Sequence, residues 1–528
     1  MPAGLEASYD WIVVGAGAAG CVLANRLSAD PAARVLLIEA GPSDTGVEAI
    51  RDAAQWVSLM RSEYDWGYDY EPTPEVLGRV IGIPRGKVLG GSSSINAMLW
   101  YRGHPDDYDA WEAAGATGWN WESMLPAFRA SEDWERGATA LRGAGGPMRI
   151  ETSPDPHPIA EAMLDGAPEI GVPTIDDSNG ESNVGAALAN FTATTVRDPA
   201  TGSSRMERWS TVRGYLLPAL ARPNLTVITD SQALRLVLEG SRCVGVSHLV
   251  DGVPVETRAT SGVVLTLGAI GTPQLLNLSG IGAASALAAL GLPVLHDLPG
   301  VGENYQDHPL VSGMNVAAGV SLGPMRDNGG GSMMNWRSSA AGDGADLHAF
   351  VVQESRPAAA LEQDLSGDVF AISPGLMRSS SVGHVRLRSA SPFEAPVIQP
   401  NFLREKEDLD RLVEGVEGVL GLLGTSPFRA LGARPLVSFG AGSSSRAAIE
   451  DFVRRGVDTF FHSCGTARMG TDPLSVVSPS LDVHGVDGLW VADASVIPVI
   501  PTCNTQAPVI AIAERAAALI PGQAAFSA

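Results

Sequence analysis

The sequence predicts an α/β protein of two lobes, one built on a parallel sheet and the other on an antiparallel sheet. Three observations predict it. The amino terminus holds a complete strand–turn–helix–strand unit, Tyr9 to Gly41. The length of 528 residues exceeds what one simple core supports. Residues 310 to 455 carry stretches that alternate apolar and polar side chains.

In the first unit, Trp11-Ile12-Val13-Val14 is a short apolar run rich in β-branched residues, as in a buried parallel strand. It breaks into Gly15-Ala16-Gly17-Ala18-Ala19-Gly20, a G-x-G-x-x-G element. Ala18 to Leu27 then places apolar residues at helical spacing, and a second apolar run, Val35 to Ile38, ends in Glu39. Gly15 permits a tight turn, Gly17 lets a pyrophosphate approach the backbone, and Gly20 lets helix pack close to strand. The helix amino terminus offers free N–H groups to phosphates. Glu39 is placed to accept hydrogen bonds from ribose hydroxyls, and its charge disfavours a 2′-phosphate. The unit therefore predicts a dinucleotide site for FAD or NAD rather than NADP.

Composition bounds the rest. Lys+Arg 36 against Asp+Glu 59 gives a net charge of −23, a surface that repels nucleic acid and anionic membranes. The start MPAGLEASYD has neither a basic nor an apolar segment, so no signal peptide is expected, and no apolar run predicts a membrane span. The four scattered cysteines (Cys21, Cys243, Cys464, Cys503) form no C-x-x-C pair and read as reduced thiols in a cytoplasmic protein. The nine histidines form no metal-binding motif, and no metal is expected.

Further along, Tyr64 to Tyr70 is rich in aromatics. Gly90-Gly91-Ser92-Ser93-Ser94, followed by Ile95-Asn96-Ala97-Met98-Leu99, reads as a small-residue loop entering a helix, where a flat ligand or a diphosphate can lie against backbone. Leu225 to Ile228 and Val263 to Leu267 read as strands. Leu347 to Val352 and His384 to Arg388 show the alternation of antiparallel strands with one wet face. The Gly/Ser-rich stretch Asn328 to Ser339 reads as a mobile loop near a site entrance.

The opening unit together with RGKVLGGSSSIN resembles the FAD-dependent glucose–methanol–choline (GMC) oxidoreductases. GAIGTPQLLNLSGIG (Gly268 to Gly282), LPGVGENYQDHP (Leu298 to Pro309), FFHSCGTARMG (Phe460 to Gly470) and VADASVIPVIPTCNTQAPVIAIAERAA (Val491 to Ala517) are similar to later blocks of that family, in its order. The resemblance implies a Rossmann-like FAD-binding domain from residues 1–155, 201–310 and 456–528. An α+β substrate-binding domain with an antiparallel sheet would come from 156–200 and 311–455. It implies FAD contacts from Gly15, Gly17, Ala18, Ala19, Glu39, Ala40, Leu89, Ser92, Asn96, Ala97, Met98, Leu99, Ala233, Asp493, Ala494, Asn504 and Thr505. Some members carry a histidine linked to the flavin where this chain has Ile95, so non-covalent FAD is expected.

The chemistry follows from the same blocks. Oxidising an alcohol by hydride transfer removes a hydroxyl proton and a hydride, and the flavin takes only the hydride. The resemblance places the base at His462 and an anchor for the substrate oxygen at Asn504. Composition alone allows duller roles: a hydrogen-bonded loop histidine, and a cap for the helix starting near Ala507. His348 and His384 are candidates for the pocket wall, whereas His308 and His484 read as structural. Phe460 and Phe461, with Trp100 and Tyr101 after the glycine loop, suit a flat aromatic alcohol. Cys464 and Cys503 read as small buried hydrophobes.

The pattern resembles most the bacterial 5-hydroxymethylfurfural and aryl-alcohol oxidases of the family. Phe460 and Asn504 depart from the pyridoxine 4-oxidases, which have a histidine and a proline there. The expected activity is oxidation of primary, aromatic or heteroaromatic alcohols to aldehydes with O₂ as acceptor, by a monomer or homodimer. Aldehyde hydrates are geminal diols open to the same chemistry. A quinone-linked dehydrogenase, a hydroxynitrile lyase and a non-catalytic flavin-binding protein are the alternatives.

Overall fold

Residues 5–437, 439 and 445–520 are described by a computed structural model. Strands Ser8–Val14 and Val35–Ile38 run parallel, with Trp11 opposite Val35 and Val14 opposite Ile38. Leu225–Ile228 joins beyond Val35–Ile38, again in parallel. On the other side lies the long strand Val253–Leu265, whose last residues run parallel to Ser8–Val14 and to Leu489–Val491. Its first half instead pairs antiparallel with Arg242–Val250, which pairs with Ala233–Glu239. One strand thus serves a parallel core and an antiparallel meander within one seven-stranded sheet.

Helices Ala18–Leu27 and Gln506–Leu519 pack together beside this sheet. The strands, apolar on both faces, have no exposed residue from Trp11 to Val14 or from Val35 to Ile38. The register aligns the carboxyl ends Val14, Ile38, Ile228 and Leu265 along one edge. In open α/β sheets that edge is where ligands bind.

The second sheet has eight strands, all antiparallel, in the order Arg434–Pro435, Asn315–Ala317, Val369–Leu376, Leu347–Val352, Ser332–Trp336 and Gly185–Leu188. Pro309–Val311 pairs with both Val369–Leu376 and Val457–Thr459. The last pairing straddles the domain limits expected at residues 310 and 455. Helix Lys406–Leu423 covers one face with Leu409, Leu412, Val416 and Val419. Among the described residues no helix is long and apolar enough to cross a membrane.

Three local expectations are corrected. Leu347–Val352 has no wet face, for all six residues are buried. Leu347, Ala349 and Val351 pack in the core under the helix, while Phe350 and Val352 join a separate cluster with Phe460. The Gly/Ser-rich stretch is not a mobile loop: Ser332–Trp336 is an internal strand, and Gly331 admits close packing, since a Cβ there would lie 2.6 Å from the Cβ of Ala160. Ile95 to Leu99 is not helical. A short 3₁₀ turn, Gly91–Ser94, is followed by a bend in which Asn96 Oδ1 accepts from Met98 N at 2.9 Å and Met98 takes a φ of 62°. An asparagine side chain that satisfies a nearby N–H competes with helix formation.

Candidate active site

A large cavity runs from the carboxyl edge of the first sheet to the wall of the second. At its first end, Gly15 has a φ of +100°, and a Cβ there would lie 2.7 Å from Thr266 O. A Cβ on Gly20 would lie 1.9 Å from Gly15 O, so helix and turn touch backbone to backbone. Gly17 differs: the nearest atom to its Cβ would be Thr266 O at 3.8 Å, and it lines the cavity. The second glycine segment meets the first. Gly90 N donates to Ala16 O at 2.7 Å, and a Cβ on Gly91 would reach Gly17 Cα at 2.8 Å. Gly17 caps its helix without any side-chain hydrogen bond, which leaves amide groups free toward the cavity.

Glu39 is buried at the tip of its strand, where Ala16 N and Gly41 N donate to its carboxylate at 2.9 Å each. Burial pushes its pKa up to about 7, and these two donors oppose the shift. Asp493 is likewise held, accepting from Gly268 N, Thr272 Oγ1 and Ser495 N. Burial raises its pKa as well.

Gly15, Gly17, Ala18, Ala19, Glu39 and Ala40 all line the cavity. So do Ser92, Asn96, Ala97, Met98, Leu99 and Ala233, and so do Asp493, Ala494, Asn504 and Thr505. Leu89 does not: its backbone is bonded to Pro42 O and Ser94 Oγ, and its side chain belongs to the core behind the loop. The bare-backbone cradle, the uncapped helix and the carboxylate at the strand tip fit an adenine dinucleotide. Gln506 Nε2, buried without a partner, adds an unused donor on the cavity wall.

At the other end, His462 and Asn504 face each other. Asn504 Nδ2 lies 2.9 Å from His462 Nε2. The asparagine is thus a partner of His462 and does not cap helix Gln506–Leu519, whose cap residue is Thr505. His308 proves to be part of the site: its Nδ1 lies 2.9 Å from Nδ1 of His462. Sequence reasoning passed it over, although it adjoins a carboxylate in Gln306-Asp307-His308-Pro309.

Asp307 ties the two histidines together by accepting from His308 N at 2.8 Å and His462 N at 2.7 Å. Tyr70 OH donates to it at 2.5 Å, and Thr459 Oγ1 donates as well. Arg85 donates to Ser463 Oγ at 3.0 Å, next to His462. Burial, then the charges His308, Arg85 and His348 would carry, depress the His462 pKa well below the ordinary histidine range. The imidazole is neutral at neutral pH.

Phe460 and Phe461 line the cavity with Phe350 and Leu310. Phe461 holds a φ of 68°, uncommon for a bulky residue, with its N–H donating to Thr459 Oγ1. His348 stacks edge-on against Phe460 and bonds Asn335 Oδ1 at 2.7 Å, behind the main cavity. Three expectations fall away here. His384 sits on a small separate hairpin with Val397–Gln399 and does not line the cavity. Trp100 lies in the first core and donates to Glu132 at 2.8 Å. Tyr101 packs in the cluster of Phe460 but outside the main cavity. All four cysteines are buried free thiols. Burial pushes the pKa of Cys464 and Cys503 well up, in line with small apolar fillers.

Sequence profiles of the GMC oxidoreductases match residues 9–310 and 379–513. Mitochondrial choline dehydrogenase of Mus musculus is 37% identical over 98% of this chain and 90% of that protein. The crystal structure of pyridoxine 4-oxidase from Mesorbium loti superposes with a TM-score of 0.90 at 32% identity, covering 96% of this chain and 98% of the other. A fungal aryl-alcohol oxidase shares the fold at a TM-score of 0.82 and 24% identity, over 98% and 99% of the two chains. With profiles covering most of its length and a relative this similar end to end, the chain belongs to the GMC oxidoreductases, a family that binds FAD.

Proposed function

We propose that the chain oxidises primary alcohols, aromatic ones foremost, to aldehydes, with O₂ as the electron acceptor. The observation that carries this reading is the His308–His462–Asn504 row, which ends in the cavity at His462 and Asn504. FAD, held non-covalently past Ile95, would lie with its diphosphate on the Gly15–Ala19 turn and its ribose at Glu39. Its flavin would sit against Asn96 to Leu99, Asp493, Ala494 and Thr505. Bound there, FAD supplies a hydride acceptor.

The protein's own share is proton handling and orientation. With Asn504 Nδ2 donating, His462 Nε2 carries a lone pair and its Nδ1 carries the proton, which points at His308 Nδ1. In that tautomer His462 Nε2 can take the hydroxyl proton of an alcohol once the Asn504 amide turns from Nε2 to donate to the alcohol oxygen. Asp307 fixes both histidine backbones and places negative charge near the imidazolium that forms. Phe350, Phe460 and Phe461 exclude water from that spot. A geminal diol satisfies the same contacts, so hydrated aldehyde would also be oxidised.

The similarity to choline dehydrogenase supports a second reading on the acceptor side, a dehydrogenase that reduces a quinone. It does not extend readily to choline itself: the carboxylates lining the cavity, Glu39 and Asp493, both stand at the dinucleotide end. A cationic alcohol would find arginines instead.

The test is anaerobic stopped-flow flavin absorbance with vanillyl alcohol, hydroxymethylfurfural, pyridoxine and choline, followed by admission of air. The reading expects bleaching by the aromatic alcohols, recovery in air with peroxide, and loss of bleaching in His462→Ala by about 100- to 10,000-fold. Bleaching that persists in air selects the dehydrogenase. Flavin that stays oxidised with every alcohol overturns the proposal.

A further inference from the structure

Arg356 lines the cavity together with Trp56, Phe350 and Phe461. Its guanidinium lies over the Trp56 ring, 4.9 Å from the centroid. Among the described residues its side chain makes no hydrogen bond and no ion pair, apart from that ring contact. The nearest carboxylates, Asp458 and Glu354, act on it only through longer-range attraction. Asp458 is already engaged, accepting from Thr459 N at 2.8 Å and Ser312 Oγ at 3.2 Å.

The position is built rather than incidental. Asn315 Oδ1 accepts from Arg356 N at 2.7 Å, and Asn315 Nδ2 donates back to Arg356 O at 3.1 Å. Gly313 N donates to the same carbonyl at 2.9 Å. Both backbone groups are clamped, and Trp56 is itself anchored through Nε1 to Asn328 O at 2.9 Å. A half-buried cation whose carboxylates, Asp458 and Glu354, act only from beyond ion-pair distance is incompletely compensated, and a ligand that brings its own anion lowers that cost. Guanidinium stacked on an indole keeps its edge N–H groups free for a two-pronged contact with carboxylate.

We infer that the alcohol substrate carries a carboxylate, which Arg356 binds while the hydroxymethyl group meets His462 and Asn504. The inference rests on the proposed alcohol oxidation and names its substrate class: hydroxymethyl-substituted aromatic acids, with the ring between Phe350 and Phe461.

The FAD-loaded protein is titrated with 4-methylbenzoate, which cannot react, and binding is read from the flavin absorbance perturbation. It is then mixed anaerobically with 4-(hydroxymethyl)benzoate and with benzyl alcohol. The expected result is a half-saturating concentration for the acid about tenfold to a hundredfold below that for benzyl alcohol. In Arg356→Met that ratio should collapse and 4-methylbenzoate binding should weaken by a similar factor, with partial return in Arg356→Lys. Flavin content and thermal midpoint report the fold of each variant.

An unchanged ratio in Arg356→Met overturns the inference, as does a wild-type protein indifferent to the carboxylate. Loss of FAD from Arg356→Met would also overturn it, by showing that the guanidinium faces the cofactor. If 4-methylbenzoate binds through Arg356 but neither alcohol bleaches the flavin, the anion site stands and the alcohol-oxidation reading fails.

Discussion

The two ends of the cavity are made of different material. The dinucleotide end is mostly backbone: Gly15, Gly20 and Gly91 meet neighbouring backbone at distances that leave no room for side chains, Gly17 faces the open cavity, and one carboxylate marks the strand tip. The substrate end is side chains drawn from four distant segments: Phe350 and Arg356, Phe460 to His462, and Asn504 line the cavity, and His308 stands behind His462. A backbone site recognises groups that every adenine dinucleotide shares. A site of side chains can change its substrate by single substitutions while the fold persists.

The sharpest way to break this contrast lies within the glycines themselves. In Gly20→Ala the new methyl would stand 1.9 Å from the Gly15 carbonyl oxygen, a backbone atom that cannot move aside. We expect that variant to fail to accumulate as folded protein. Gly17→Ala is the counterpart, because its methyl would have 3.8 Å to the nearest protein atom and the φ of Gly17 is −71°, open to alanine. It should fold with a near-normal circular dichroism spectrum yet purify with little flavin, read from the flavin-to-protein absorbance ratio. Full flavin occupancy in Gly17→Ala would show that the diphosphate does not lie on this turn.

At the substrate end the corresponding test is His308. Losing the acceptor for the His462 Nδ1–H should slow anaerobic flavin reduction about tenfold to a hundredfold in His308→Ala, by analogy with the loss of partners that orient metal-bound histidines. A merely structural role could give the same slowing, so the pH profile decides. His308 helps to depress the His462 pKa, alongside burial, Arg85 and His348. Its removal should therefore move the acid limb of flavin reduction toward higher pH, nearer the ordinary histidine range. His308→Gln, whose carbonyl can accept the same N–H, should recover part of the rate. An unmoved acid limb would reduce His308 to packing.

The same contrast explains what could be read from the chain. Strand, turn, helix and Glu39 lie within one continuous segment, so local spacing exposes them and the helix Ala18–Leu27 falls where the periodicity places it. His308 and His462 are separated by 154 positions, and nothing local marks the first as a neighbour of the second. Glycine misled in the opposite direction. Gly329 and Gly331 looked like flexibility, but a Cβ at either would lie 2.6 Å from Met325 Sδ or the Ala160 Cβ, so they mark close packing beside an internal strand. Alternation in Leu347–Val352 was real, but both faces are buried because one meets a helix and the other packs with Phe460.

The smallest effect concerns Glu39, the one charged group among the backbone contacts at the strand tip. Its pKa is raised from 4.5 to about 7 by burial. A carboxyl with a raised pKa stabilises the fold fully below pH 4.5, and that contribution is lost as pH rises through about 7. The shift corresponds to about 3 kcal/mol between the two limits. Glutamine keeps the neutral shape at all pH values, so deflavinated Glu39→Gln should match the wild type near pH 4.5 and exceed it in thermal midpoint above pH 7. Flavin affinity should go the other way, because ribose hydroxyls donate better to a carboxylate than to an amide. The variant should bind FAD more weakly at pH 8 than the wild type, by about tenfold. A variant stabilised at high pH with undiminished FAD affinity would place the ribose away from Glu39, and the dinucleotide end would then rest on its glycines alone.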